Sequence, residues 1–165
     1  MSAGPAALAE PTTAAGPEVE IVVEAEGWAE QPGAEAVIAR AIAAAAQALD
    51  ITGGEVAVLL TDDARMQVLN RSFRGFDKPT NVLSFPGADA AAGHLGDIAI
   101  ALETTAREAR ADGKAFADHL AHLAVHGLLH LAGHDHEDDG EAEEMEALET
   151  AILARLGIAD PYRET

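Results

Sequence analysis

Apolar and polar positions alternate through Val19 to Ala25 (VEIVVEA) and predict a β-strand. Residues 34 to 49 are rich in alanine and apolar at helical spacing, so a helix is expected there. Gly53-Gly54 interrupts the pattern, and Glu55 to Thr61 (EVAVLLT) predicts a second strand. Asp62 or Asp63 can cap a helix reaching about Arg74. A loop over 75–79 leads to a short strand at Asn81 to Phe85, closed by Pro86-Gly87. Residues 87–96 read as a flexible Ala/Gly-rich loop, and Asp97 to Leu102 (DIAIAL) as a strand. Helices are then expected over 103–112, 115–132 and 138–156, the last ending at Gly157. No internal repeat is visible. The mixture predicts an α/β (α+β) domain, a small mixed four-stranded sheet packed by about five helices.

Composition narrows the chemistry. The 165 residues are 48% hydrophobic but only 4% aromatic, so the core must come from Ala, Leu, Val and Ile. The chain has no cysteine, which excludes disulfides and thiolate metal sites and leaves His, Asp and Glu as ligands. No apolar run is long enough to cross a bilayer, and the N-terminus lacks the basic start and apolar stretch of a signal peptide. The expectation is a soluble cytoplasmic protein: a disordered Ala/Pro-rich tail over 1–18, then one domain over 19–160.

The net charge of -19 argues against general nucleic-acid binding, because polyanions repel. The charges are unevenly placed, however. Arg65, Arg71, Arg74 and Lys78 face one acid, Asp77, between residues 65 and 85, whereas residues 135–149 carry nine acids and no Lys or Arg. A basic island of this kind can grip a phosphate.

Six of the seven histidines fall between residues 119 and 136. His126 and His130 are four apart on the 115–132 helix, so both rings leave one face a turn apart and can meet one metal ion. Gly133 allows a left-handed turn that brings His136 back toward the pair. Three imidazoles with an open fourth position make a catalytic type of zinc site, built from a helix and the turn after it. His119, His122, His126 and His130 also lie on one stripe, which an ordinary packed or solvated helix face would explain too. His122 with His126, or His134, compete as ligands on spacing alone, and the turn favours His126, His130 and His136. Asp135 can orient a ligand or simply cap the turn. The spacing H-x3-H-x2-G-x2-H is shared with metzincin proteases, but their glutamate base would stand where this chain has Gly127.

The other distinctive stretch is Asn70 to Pro86, NRSFRGFDKPTNVLSFP, in which Arg74 ends a helix beside a loop. Its guanidinium can clamp a phosphate through two hydrogen bonds, or be an ordinary surface arginine. HGLLHLAGHDH (His126 to His136), the upstream AHLAV, FRGFDKPTNVLSFP (Phe73 to Pro86) and LGDIAI (Leu95 to Ile100) together resemble the bacterial YbeY family over about residues 20–158. These are metal-dependent endoribonucleases and ribosomal RNA maturation factors.

The resemblance implies a mixed α/β fold with helices and a small sheet around a cleft. It implies one zinc ion on His126, His130 and His136, and a catalytic or substrate-binding role for Arg74. It implies a single-strand-specific endoribonuclease acting on 16S precursor RNA, including its 3′ end, and in 70S ribosome quality control. Implied partners are the small ribosomal subunit and a ribosome-associated GTPase. His134 falls where the family motif varies, and His122 matches a recurrent family histidine. The strongly negative charge departs from what an RNA enzyme leads one to expect. Cleavage by such an enzyme can use an activated water or the RNA 2′-OH, and a 2′,3′-cyclic phosphate product would mark the latter. Three other functions compete. Gly127 counts against a metallopeptidase. A non-enzymatic ribosome-assembly factor with a structural metal is a second, and a His-rich metal buffer, which leaves residues 70–86 unexplained, a third.

Overall fold

A computed structural model describes residues 16–87, 93–134 and 138–162. In chain order the elements are β1 (Glu18–Val23), α1 (Ala34–Ala48), β2 (Glu55–Thr61), α2 (Asp63–Arg74), β3 (Val82–Pro86), β4 (His94–Ala101), α3 (Leu102–Ala111), α4 (Phe116–Leu131) and α5 (Asp139–Arg155). A 3-10 turn, Glu26–Glu30, follows β1 and buries Trp28, whose indole N–H donates to the Thr61 carbonyl at 2.9 Å.

The strands form one mixed sheet in the order β1-β2-β4-β3. The β1–β2 and β2–β4 pairs are parallel, and β3 runs antiparallel to β4 at the edge, where a terminal Pro86 is tolerated. Side chains alternate across this sheet as strand geometry requires. Val56, Val58 and Leu60 of β2, with Ile98 and Ile100 of β4, enter the main core against α1, α4 and α5. Leu83, Ala99 and Ala101 pack with Met66 of α2 in a smaller cluster on the other face. Among the described residues, no helix is long and apolar enough to cross a membrane.

Most expected boundaries hold to within a residue or two. Two differ for a physical reason. The first strand stops at Val23, where the chain turns to bury Trp28. The strand expected from Asp97 begins at His94, so residues 94–96 of the expected loop belong to the sheet. There His94 and Gly96 pair with Glu55 and Val56 across a register shift. A Cβ at Gly96 would come within 2.4 Å of the Phe85 carbonyl oxygen. The glycine permits close backbone approach rather than marking a loop. Residues 88–92, the centre of the expected loop, lie outside the described residues, as does 1–15 of the expected tail.

Candidate metal centre

Helix α4 is buried through Leu120, Leu123, Ala124, Val125, Leu128 and Leu129; His119 is buried too, and His122, His126 and His130 are half-buried. That stripe is split among different partners. His119 Nε2 lies 2.8 Å from Glu108 Oε1 on α3, and Asn81 Nδ2 donates to the same oxygen at 2.9 Å. His122 Nε2 and His126 Nδ1 donate to the two carboxylate oxygens of Glu149 on α5, each at 2.7 Å. The Tyr162 hydroxyl donates to Glu149 as well. His126 Nε2 lies 3.1 Å from His130 Nε2.

Glu149 is fully buried. Burial pushes its carboxyl up, but the hydrogen bonds from His122, His126 and Tyr162 outweigh that and bring it down to about 2. It is therefore a carboxylate at neutral pH. Burial and the adjacent Glu149 charge raise Tyr162, which stays a hydroxyl donor.

His122, His126 and Glu149 bring ligand-type atoms within 4.8 Å of one another, a group that could hold a metal ion. The separations inside the neighbourhood differ, however. Two ligand atoms on a tetrahedral zinc, each about 2.0–2.1 Å from it, stand roughly 3.3 Å apart. The 2.7 Å contacts to Glu149 are hydrogen-bond distances. The 3.1 Å between the two Nε2 atoms is a hydrogen-bond distance as well, and is also nearer the spacing of two ligands on one ion.

His126 and His130 open on a cleft of about 510 Å³ that Arg74, Asn81, Ser84 and His134 also line. Arg74 reaches it from the end of α2. Asp62 caps the start of that helix by accepting the Arg65 N–H at 2.8 Å, and Gly75 closes it in the left-handed region at φ 79°. Buried Asn70 donates to the Lys78 carbonyl at 2.9 Å and pins the following loop. The Arg74 guanidinium carbon stands 5.4 Å from the Phe76 ring centroid, within cation–π range. Ser84, which also lines the cleft, donates its hydroxyl to the Gly127 carbonyl at 3.0 Å.

Gly127 faces the sheet. A Cβ there would lie 3.0 Å from both Cδ1 and Cγ2 of Ile98. A side chain at 127 would meet Ile98, so this is a packing position and not simply a missing base.

Four expected or competing site residues therefore share the cleft: Arg74, His126, His130 and His134. His122 lines a different cavity, of about 740 Å³, with Lys114, Asp118 and Asp160. Gly133 has φ 99°, the left-handed turn that was expected. His136 and Asp135 lie outside the described residues. Spacing along the chain does not single out Glu149, Asn81, Ser84 or Tyr162. Glu149 carried one signal: it falls on the apolar stripe of α5 with Met145, Ile152 and Leu153.

The family model described as Endoribonuclease YbeY matches residues 23–157. The chain is 57% identical over 158 residues to Endoribonuclease YbeY of Bradyrhizobium sp., covering 90% of this chain and 94% of that one. It is 59% identical over 163 residues to Endoribonuclease YbeY of Rhodopseudomonas palustris, covering 94% and 86%. A solution structure of a Thermotoga maritima protein aligns over 88% of this chain and 99% of its own, at 24% identity and a TM-score of 0.48.

Proposed function

The chain belongs to the Endoribonuclease YbeY family and is an endoribonuclease, a hydrolase; from that premise we propose that it binds one zinc ion and cuts single-stranded RNA at the Arg74–His126–His130 cleft. The ligands are His126, His130 and His136, and the substrate is 16S precursor RNA, including its 3′ end, during small-subunit maturation and 70S ribosome quality control. The small subunit and a ribosome-associated GTPase are the proposed partners, and the cytoplasm the compartment.

One observation carries the proposal: the Nε2 atoms of His126 and His130 lie 3.1 Å apart on the wall of the cleft that Arg74 lines. A zinc ion held there supplies Lewis-acid polarisation of a phosphoryl oxygen and acidifies water. Arg74 presents a fork of donors to the non-bridging oxygens and neutralises charge that builds on them. Asn81, its amide tied to Glu108, and Ser84, tied to Gly127, form a fixed polar wall along which a backbone can lie. Arg71, which pairs with Asp77 at 3.7 Å, and Lys78 flank Arg74 in sequence and add positive charge to that segment, where a chain of net charge -19 can hold RNA.

The test is cleavage of a synthetic 16S 3′-precursor by zinc-loaded protein, with His130→Ala and Arg74→Ala alongside. Loss of zinc and cleavage in the first, and of cleavage alone in the second, is the expected pattern. Undiminished cleavage by a metal-free His130→Ala protein would end the proposal.

A further inference from the structure

We propose that Glu149 is a positioning residue: it holds His126 with its proton on Nδ1, so that Nε2 is the unprotonated nitrogen turned toward His130 and the metal. His122 and Tyr162 keep that carboxylate in place. The metal half of this inference rests on the zinc reading above; the choice of tautomer does not.

A carboxylate has only acceptors, so the imidazole nitrogen facing it must carry the proton. His126 turns Nδ1 to Glu149 Oε2 at 2.7 Å, a short charge-assisted hydrogen bond. A neutral imidazole has one ring proton, and placing it on Nδ1 leaves Nε2 able to bind a cation. Without Glu149 the two tautomers compete, and a proton on Nε2 would have to be lost before a metal could bind. The carboxylate also makes the ring a more basic ligand.

His122 faces Glu149 as a donor in the same way, through Nε2 at 2.7 Å. That nitrogen is then protonated and cannot ligate, and the other, Nδ1, is buried. With Tyr162 added, the buried carboxylate has three donors, which offsets the cost of removing a charge from water. Glu149 belongs to α5 and His126 to α4, so helix packing sets the tautomer.

The test uses the full chain with ¹⁵N-labelled histidine. Long-range proton–nitrogen spectra of the metal-free protein should show His126 protonated on Nδ1, and added zinc should move the Nε2 resonances of His126 and His130. In Glu149→Gln the His126 signals should shift toward a tautomer mixture, and zinc affinity, measured by competition with a chromogenic chelator, should fall about 10–100-fold. Finding His126 protonated on Nε2 in the wild type would overturn the proposal, as would zinc on His122 or unchanged affinity in Glu149→Gln. The wild-type spectra decide even if the variant fails to fold. If His130→Ala bound zinc as tightly as wild type, the zinc reading would fail instead, while the metal-free spectra would still decide what Glu149 does.

Discussion

Replacing Gly127 by alanine sets two effects of similar size against each other. Glycine inside a helix costs about 1 kcal/mol relative to alanine, so propensity alone favours the substitution. The new Cβ, however, would sit 3.0 Å from two carbons of Ile98 and 3.3 Å from a third. Ile98 is fully buried; rotation about χ2 moves only Cδ1, whereas Cγ1 and Cγ2 move together about χ1, which branching at Cβ restricts. Overpacking of this kind costs about 1–3 kcal/mol. The net expectation is a loss of roughly 1 kcal/mol, a fall in Tm of about 2–4 °C for a chain of this size. Relief requires α4 to lift from β4, which lengthens the Ser84–Gly127 hydrogen bond and displaces His126 and His130 relative to Arg74. Cleavage should therefore fall further than stability does. Thermal melts and urea titrations of Gly127→Ala, Ile98→Val and the double variant measure this directly. Removing Cδ1 should make the alanine less costly, with a coupling of about 0.5 kcal/mol or more. A Gly127→Ala protein that melts higher than wild type, with no coupling to Ile98, would refute the close approach. By the same reasoning, Gly127→Glu should lose more stability than Gly127→Ala in the same melts.

Arg74→Ala should lower RNA cleavage about 10²–10³-fold while zinc content stays unchanged, read by product yield and metal analysis. Cleavage should weaken as salt rises, and Arg71→Glu with Lys78→Glu should weaken it and flatten the salt slope; a salt-insensitive reaction would remove the basic rim from the RNA footprint. Acid stability should report Glu149. Its carboxyl lies at about 2 in the fold against an ordinary 4.5, so its contribution is full above about 4.5 and is lost as pH falls toward 2. Urea midpoints of metal-free wild type should drop across that window, and those of Glu149→Gln should be flatter there; parallel curves would contradict the burial of a charged Glu149.

What lies within one turn of backbone was legible in the sequence. The periodicity of α1 and α4, a cap at Asp62 or Asp63, the left-handed turn at Gly133 and the four-residue interval between His126 and His130 are local, because helix geometry fixes which side chains share a face. Cysteine-free composition limited the ligand types in the same direct way. The partners of those side chains were another matter. Four histidines on one stripe read as equivalent, yet packing of α4 against α3 and α5 sends His119 to Glu108, His122 and His126 to Glu149, and leaves His126 beside His130. Glu149 read as one acid among nine until α5 buried it. Gly127 read as an absent base until β4 came within contact of it, and residues 94–96 read as loop until β2 supplied their hydrogen-bond partners. Spacing along a chain determines which groups point the same way. Only the packed elements determine what they point at, because a buried charge or a close contact takes its meaning from atoms distant in sequence.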